Sequence, residues 1–257
     1  MKKELLAIKD FLDESYLKYN TNLFIDSDPI SIPRKFSKKE DIEIAGFLSA
    51  TIAWGNRKSI IKNAYRLVKL LENNPFDFLM NATNQEIDNL SEFKHRTFQH
   101  IDLTFFLYAL QNIYKKHGGL EQVFSTGFQQ EQSIKSAISY FRKIFFEIPY
   151  PTRTLKHISD VDKNSAAKRI NLFLMWMIRN NSTGVHFGLW KDIPAAALML
   201  PLDVHSGNTS RKLGLLLRKP NDWKAVEEVT ANLRKFDPDD PVKYDFSLFG
   251  MGVFEKF

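Results

Sequence analysis

The residue types that could do chemistry in this chain gather around Leu200-Pro201-Leu202-Asp203-Val204-His205, followed by Ser210-Arg211-Lys212-Leu213-Gly214-Leu215. An apolar run ends at Asp203, at the mouth of an expected helix. Aspartate is a favoured N-cap because its carboxylate accepts hydrogen bonds from the first unpaired helix amides. Capping alone is the ordinary reading of such a residue. A carboxylate held this way also stays ionised, and can stabilise positive charge developing on a neighbouring sugar. Between Val204 and Asn221 there are four cations (Arg211, Lys212, Arg218, Lys219) and no acidic residue. Helix amides together with basic side chains make a phosphate-binding surface. His205, Arg211 and Lys212 are the candidate phosphate contacts, although a lone histidine is more often structural.

The elements that position these residues are helical nearly throughout. Leu5, Ile8, Leu12 and Tyr16 form a first stripe, and a loop is expected from Asn22 to Phe36. Ile44, Phe47, Leu48, Thr51 and Ile52 mark an amphipathic helix with Glu40, Asp41 and Glu43 at its positive end and Gly55 beyond it. A helix is expected from Lys58 to Glu72, with Ile61, Ala64, Val68 and Leu71 inward. Asp102 is the expected cap of the next, closed by Gly118-Gly119. Further helices are expected at about Gln132–Phe146, Lys163–Arg179, Asp222–Phe236 and Pro241–Phe254, with an irregular stretch over Asn180–Pro201. Pro149-Tyr150-Pro151 is the expected crossing between lobes spanning 1–150 and 151–257 of one globular unit. The pattern contains no run of alternating strands, so the fold class is all-α.

Composition narrows the chemistry. The chain has 257 residues, a net charge of +6 and no cysteine. Thiolate catalysis, disulfides, cysteine-bound zinc and iron–sulfur clusters are therefore excluded. No histidine pair stands at ligand spacing beside a suitable carboxylate, so neither metal nor cofactor is expected. The 22 phenylalanines predict an aromatic interior. No apolar run approaches the ~20 residues of a membrane span, and the amino terminus reads as neither signal nor anchor, so a cytoplasmic location is expected. The basic balance favours an anionic partner.

The Asp203 segment resembles the signature of the helix-hairpin-helix DNA glycosylase superfamily, in a divergent bacterial branch. In that family a proline or valine, an aspartate and often a histidine open a helix that continues to a basic-Leu-Gly element, and the aspartate is the catalytic acid. The likeness extends more loosely to Trp223–Gly252 and Ile42–Arg57, about half the chain in all. The family's hairpin, an apolar-Pro-Gly-Val-Gly-basic element, is replaced by Gly184-Val185-His186-Phe187-Gly188. Bifunctional members attack the sugar C1′ with a lysine amine to form a Schiff base. At the usual position Lys191 is the nearest lysine. The archaeal 8-oxoguanine glycosylases, which are similar to this chain, carry theirs at the start of an upstream apolar helix. Lys168-Arg169-Ile170-Asn171-Leu172-Phe173 matches that pattern.

Lys168, Asn171, Met175 and Arg179 share one face of that helix. The face is either its solvated side or a polar stripe lining a site, and Asn171 is a base-pocket candidate. Near Ile42–Arg57, Trp54 could stack on an extruded base while Arg57 and Lys58 grip the backbone. Trp54 can equally be core. The resemblance implies a two-lobed helical glycosylase with a cleft between its lobes, acting on damaged double-stranded DNA as an N-glycosylase with or without AP-lyase activity. Asp203 and Lys168 would be catalytic. The alternative is a non-catalytic DNA- or RNA-binding helical module that keeps this fold. No protein partner can be inferred.

Overall fold

The computed structural model describes residues 3–21, 25–90, 92–180 and 184–255. Among them the chain is mostly helical, as its periodicity predicts, and no helix is long and apolar enough to cross a membrane. In chain order the longer elements begin with α1 (Lys3–Tyr19), α2 (Lys39–Thr51), α3 (Arg57–Leu70), α4 (Pro75–Asn81) and α5 (Asn84–Asp88). A small hairpin of β1 (Lys94–His95) and β2 (Phe98–Gln99) leads into α6 (His100–Lys116), α7 (Leu120–Glu131) and α8 (Ile134–Phe145). The chain finishes with α9 (Lys168–Ile178), α10 (Val204–Lys212), α11 (Trp223–Arg234) and α12 (Asp245–Gly250). Parts of the expected irregular stretches, at 22–24 and 181–183, lie outside the described residues.

Two compact units result: Ile25–Asp160, and Met1–Phe24 with Val161–Phe257. The break follows Asp160 rather than the Pro149-Tyr150-Pro151 triplet, because the 3-10 turn Thr152–His157 still docks on the preceding helices. Thr154 Oγ1 donates to Asp102 Oδ1 (2.8 Å), and Arg142 donates to the carbonyls of Leu155 and Ile158.

In the unit spanning 25–160 the phenylalanines form the interior. Phe47 packs against Phe106, Phe141 and Phe145, and Phe124 stacks on Phe141 at 4.4 Å. Each such ring contributes on the order of 2–3 kcal/mol by leaving water. Helices α7 and α8 form a close pair. A Cβ at Gly127 would lie 2.6 Å from Tyr140 Cβ and 2.9 Å from Ala137 Cα, so only glycine permits this approach.

Several expectations change here. Helix α2, expected to be amphipathic, is buried on all sides from Asp41 to Thr51, Asp41 and Glu43 included. Glu43 accepts from Tyr114 Oη (2.7 Å), which removes the cost of an unpaired buried carboxylate. In α3 the inward residue is Ile60, whereas Ile61 is half-buried. Asp102 is not the cap of α6. Gln99 caps it, and Asp102 sits one turn in, completing the capping box. Helices α4 and α5 and the hairpin are too short to show a period, whereas sequence reasoning missed α7 although its buried Leu120, Val123, Phe124 and Phe128 recur at i, i+3, i+4 and i+8. Arg96, with φ 53, turns the hairpin.

The other unit packs α1 against α12. Tyr19 lies where a Cβ on Gly250 would be, and Ser247 Oγ donates to the Leu12 carbonyl (2.7 Å). Helix α9 starts at Lys168, five residues later than expected. The expected carboxy-terminal helix divides into a 3-10 turn at Pro241–Tyr244, α12, and a π-turn at Met251–Glu255.

Candidate active site

Asp203 is the N-cap of α10, as its position predicts. Its Oδ1 accepts from the Ser206 amide (2.9 Å) and lies 3.2 Å from Ser206 Oγ, while that hydroxyl accepts from the Asp203 amide (2.9 Å). This reciprocal box fixes the carboxylate plane at the positive end of the helix. Oδ2 is left pointing elsewhere. The Leu213-Gly214-Leu215 element is the other end of the same helix. Gly214 adopts φ 69, and the Leu215 amide donates to the Ser210 carbonyl (2.8 Å), which closes the last turn.

Lys168 is the first residue of α9, and its Nζ lies 3.8 Å from Asp203 Oδ2. The two side chains are 28% and 20% exposed, so the pair is reachable from solvent. Ala167 precedes Lys168 in the left-handed region (φ 47) and is 1% exposed. That conformation costs an alanine about 1 kcal/mol, which the surrounding packing must offset. Next along the chain, burial pushes the Arg169 guanidinium down to about 10. It therefore remains a cation at neutral pH.

A polar connector holds the two helix starts together. Asn221 Nδ2 donates to the Asp203 carbonyl (2.9 Å), and Arg211 donates to Asn221 Oδ1 (2.6 Å). Gly207 admits this contact, since a Cβ there would lie 2.8 Å from Asn221 Oδ1. Asp222 then bridges to the other side. It forms a β-bridge with Ser165, and its Oδ2 accepts from Asn164 Nδ2 (2.9 Å). Bidentate hydrogen bonds from Arg218 (2.6 and 2.5 Å) hold the Asp222 carboxyl well below the usual carboxylate range. The segment 164–167 is thus tied to 218–222, and 218–222 to Asp203. Sequence reasoning missed Asn164, Ser206, Asn221 and this use of Asp222. Only the cap-forming type of Asp222 was visible locally.

The other expected residues are distributed as follows. Asn171, one turn beyond Lys168, is 1% exposed. Its Nδ2 donates to the Ala166 carbonyl (3.2 Å), and its Oδ1 has no partner among the described residues. Arg179 is not on a solvated face. It is 1% exposed, with Nε 2.8 and 2.9 Å from the Asp240 oxygens and Nη2 donating to Tyr16 Oη (2.9 Å). The Lys168–Arg179 stripe is thus accessible only at its lysine end. His205 is exposed and meets Phe249 edge-on, and Lys212 is exposed. Arg211 directs its guanidinium into the connector, donating also to the carbonyls of Arg218 (2.9 Å) and Lys219 (2.7 Å). Lys191 is exposed.

Trp54, Arg57 and Lys58 belong to the unit spanning 25–160. Trp54 is half-buried, with its ring edge-on to His95 at 5.1 Å. Arg57 pairs with Asp28 (3.1 Å), and Lys58 is exposed. Before Asp203, residues 184–202 carry no α-helix, only a 3-10 turn at Ala195–Ala197. Gly184 and Gly188 both adopt positive φ in the segment that stands in place of a hairpin.

Residues 28–254 match the family described as "Protein of unknown function (DUF2400)", and the chain belongs to that family. No curated protein and no solved structure matches it.

Proposed function

We propose that this member of the family is a DNA N-glycosylase with AP-lyase activity, acting on a damaged base flipped from duplex DNA. The observation that carries the reading is the 3.8 Å separation of Lys168 Nζ and Asp203 Oδ2, contributed by two helix starts far apart in the chain. A nucleophilic amine needs an adjacent proton acceptor, and a sugar losing its base needs a nearby anion. The pair supplies both. Asp203 accepts a proton from Lys168, whose nitrogen attacks C1′ as the bond to the base breaks, and Asp203 passes that proton to the departing base. Opening of the sugar ring gives the Schiff base. Loss of a C2′ proton then expels the 3′ phosphate, and water hydrolyses the imine to regenerate the amine. His205 and Lys212, both exposed, contact phosphates, whereas Asn171 is buried and takes no part in holding the base. The two-lobed glycosylase architecture is part of this reading, and the division of the chain into two compact units supports it.

Borohydride trapping on duplexes carrying 8-oxoguanine, uracil or an abasic site tests the proposal. A covalent adduct is expected with the wild type and not with Lys168→Gln, and Asp203→Asn is expected to suppress base release. An adduct lost instead in Lys191→Gln would move the nucleophile. A complete capping box is also what a purely structural aspartate would have. If no lesion is processed and duplex DNA still binds in a salt-dependent way, the chain is a binding module.

A further inference from the structure

The unit spanning 25–160 carries an open groove of about 700 Å³ on the outer face of α3, well away in sequence from Lys168 and Asp203. Lys58, Ile61, Lys62 and Tyr65 recur at i, i+3, i+4 and i+7, so α3 presents them along one side. The 3-10 turn Pro33–Lys35 supplies Arg34 and Lys35 to the same groove. Four cations thus face one carboxylate, Asp26. Lys58 and Lys62 are exposed and have no ion-pair partner among the described residues. Lys58 stands in the first turn of this 14-residue helix, where the macrodipole adds to the positive field.

Charge alone would suit any polyanion, and Tyr65 narrows the choice. The residue is 47% exposed, and Lys35 Nζ lies over one face of its ring, 5.2 Å from the centre, which leaves the other face for a base. Exposed aromatic faces among cations are the recurring device for holding unpaired bases, which stack on the ring while the cations follow the backbone. Duplex DNA keeps its base faces covered and gains nothing from the ring. A lipid surface would call for a cluster of exposed apolar side chains, and Tyr65 is the one large exposed apolar residue among those lining the groove.

We infer that this groove binds single-stranded nucleic acid, with Lys58, Lys62, Arg34 and Lys35 on phosphates and Tyr65 under a base. The groove belongs to the unit spanning 25–160 and Lys168 and Asp203 to the other, and the inference does not depend on the glycosylase reading.

Fluorescence anisotropy of a labelled 20-mer of thymidylate, titrated with the full chain at several salt concentrations, tests it. Salt-dependent binding is expected, tighter than to a duplex of equal length. Lys58→Glu/Lys62→Glu should weaken it by about tenfold or more and flatten the log–log salt slope by about 1.4, at about 0.7 per lost phosphate contact. Tyr65→Ala should weaken it by about tenfold, within the range for loss of one stacked base, while Tyr65→Phe retains affinity. Lys58→Gln/Lys62→Gln, with a smaller expected loss, serves if charge reversal disturbs folding. Unchanged affinity and slope in both lysine variants would overturn the proposal. So would equal or tighter binding to duplex, or equal binding to polyglutamate. The anisotropy titration does not read Schiff-base formation, so failure here and failure of the trapping experiment are separate results.

Discussion

Asp102 and Asp203 each complete a capping box at the start of a helix, and each lies within 4 Å of a basic side chain, yet their surroundings differ. Asp102 is fully buried. It accepts from the Gln99 amide (2.9 Å) and Thr154 Oγ1 (2.8 Å), with His157 Nε2 and Arg153 Nη2 each at 3.3 Å. All four neighbours belong to its own unit. Asp203 spends one oxygen on its cap and leaves the other toward Lys168, with both side chains partly in water. The difference teaches that a capping box by itself assigns no role. An aspartate surrounded by donors is a structural lock. One that keeps an accessible oxygen beside an accessible amine retains capacity for a substrate.

Mutation should separate the two sharply. Asp102→Ala leaves Thr154, the Gln99 amide and His157 facing an emptied site, and should cost about 3–5 kcal/mol in chemical denaturation. A loss similar to that from Asp203→Ala would break the comparison. The same carboxyl should show itself through pH. Burial alone would raise the Asp102 carboxyl, but His157, the Gln99 amide and Thr154 together bring it below the ordinary value. A group with a depressed folded value stabilises the protein above its unfolded value of about 3.9, and that contribution is lost as the pH falls further. Wild-type stability should therefore drop more steeply below about pH 4 than that of Asp102→Asn. Parallel pH curves would contradict the assignment.

Smaller effects are expected at the other site. Asp203→Ala should cost about 1 kcal/mol, the ordinary value of an N-cap, and Asp203→Asn less because asparagine also caps. Lys168→Gln should change stability least, within about 0.5 kcal/mol, since a partly exposed pair at 3.8 Å is screened by water. A cost of several kcal/mol for Lys168→Gln would mark the pair as structural and remove the contrast with Asp102.

Local signals in the sequence account for part of this arrangement. Asp203 is legible as a cap because cap chemistry is contained within four residues, and Leu213-Gly214-Leu215 as a helix end for the same reason. Only a resemblance pairs Lys168 with Asp203 in the sequence, since no local pattern couples residues 35 apart. The physical basis of that pairing, the Asn164–Asp222 and Asn221–Asp203 hydrogen bonds, uses side chains that look like ordinary turn residues. The sequence pattern makes Asp102 the cap itself because it does not distinguish the first position of a capping box from its fourth. Helical period leaves Arg179 either solvated or site-lining, and Asp240, Tyr16 and His186 bury it through contacts that no such period reveals.

The central claim is that Lys168 and Asp203 form a reacting pair rather than a cap with an incidental ion pair. Peptide mapping of the borohydride-trapped adduct by mass spectrometry tests it most directly. The modified nitrogen is predicted to be Lys168 Nζ, with the adduct yield strongly reduced in Asp203→Asn. Modification at Lys191 or at another amine, or an undiminished yield in Asp203→Asn, would contradict the account.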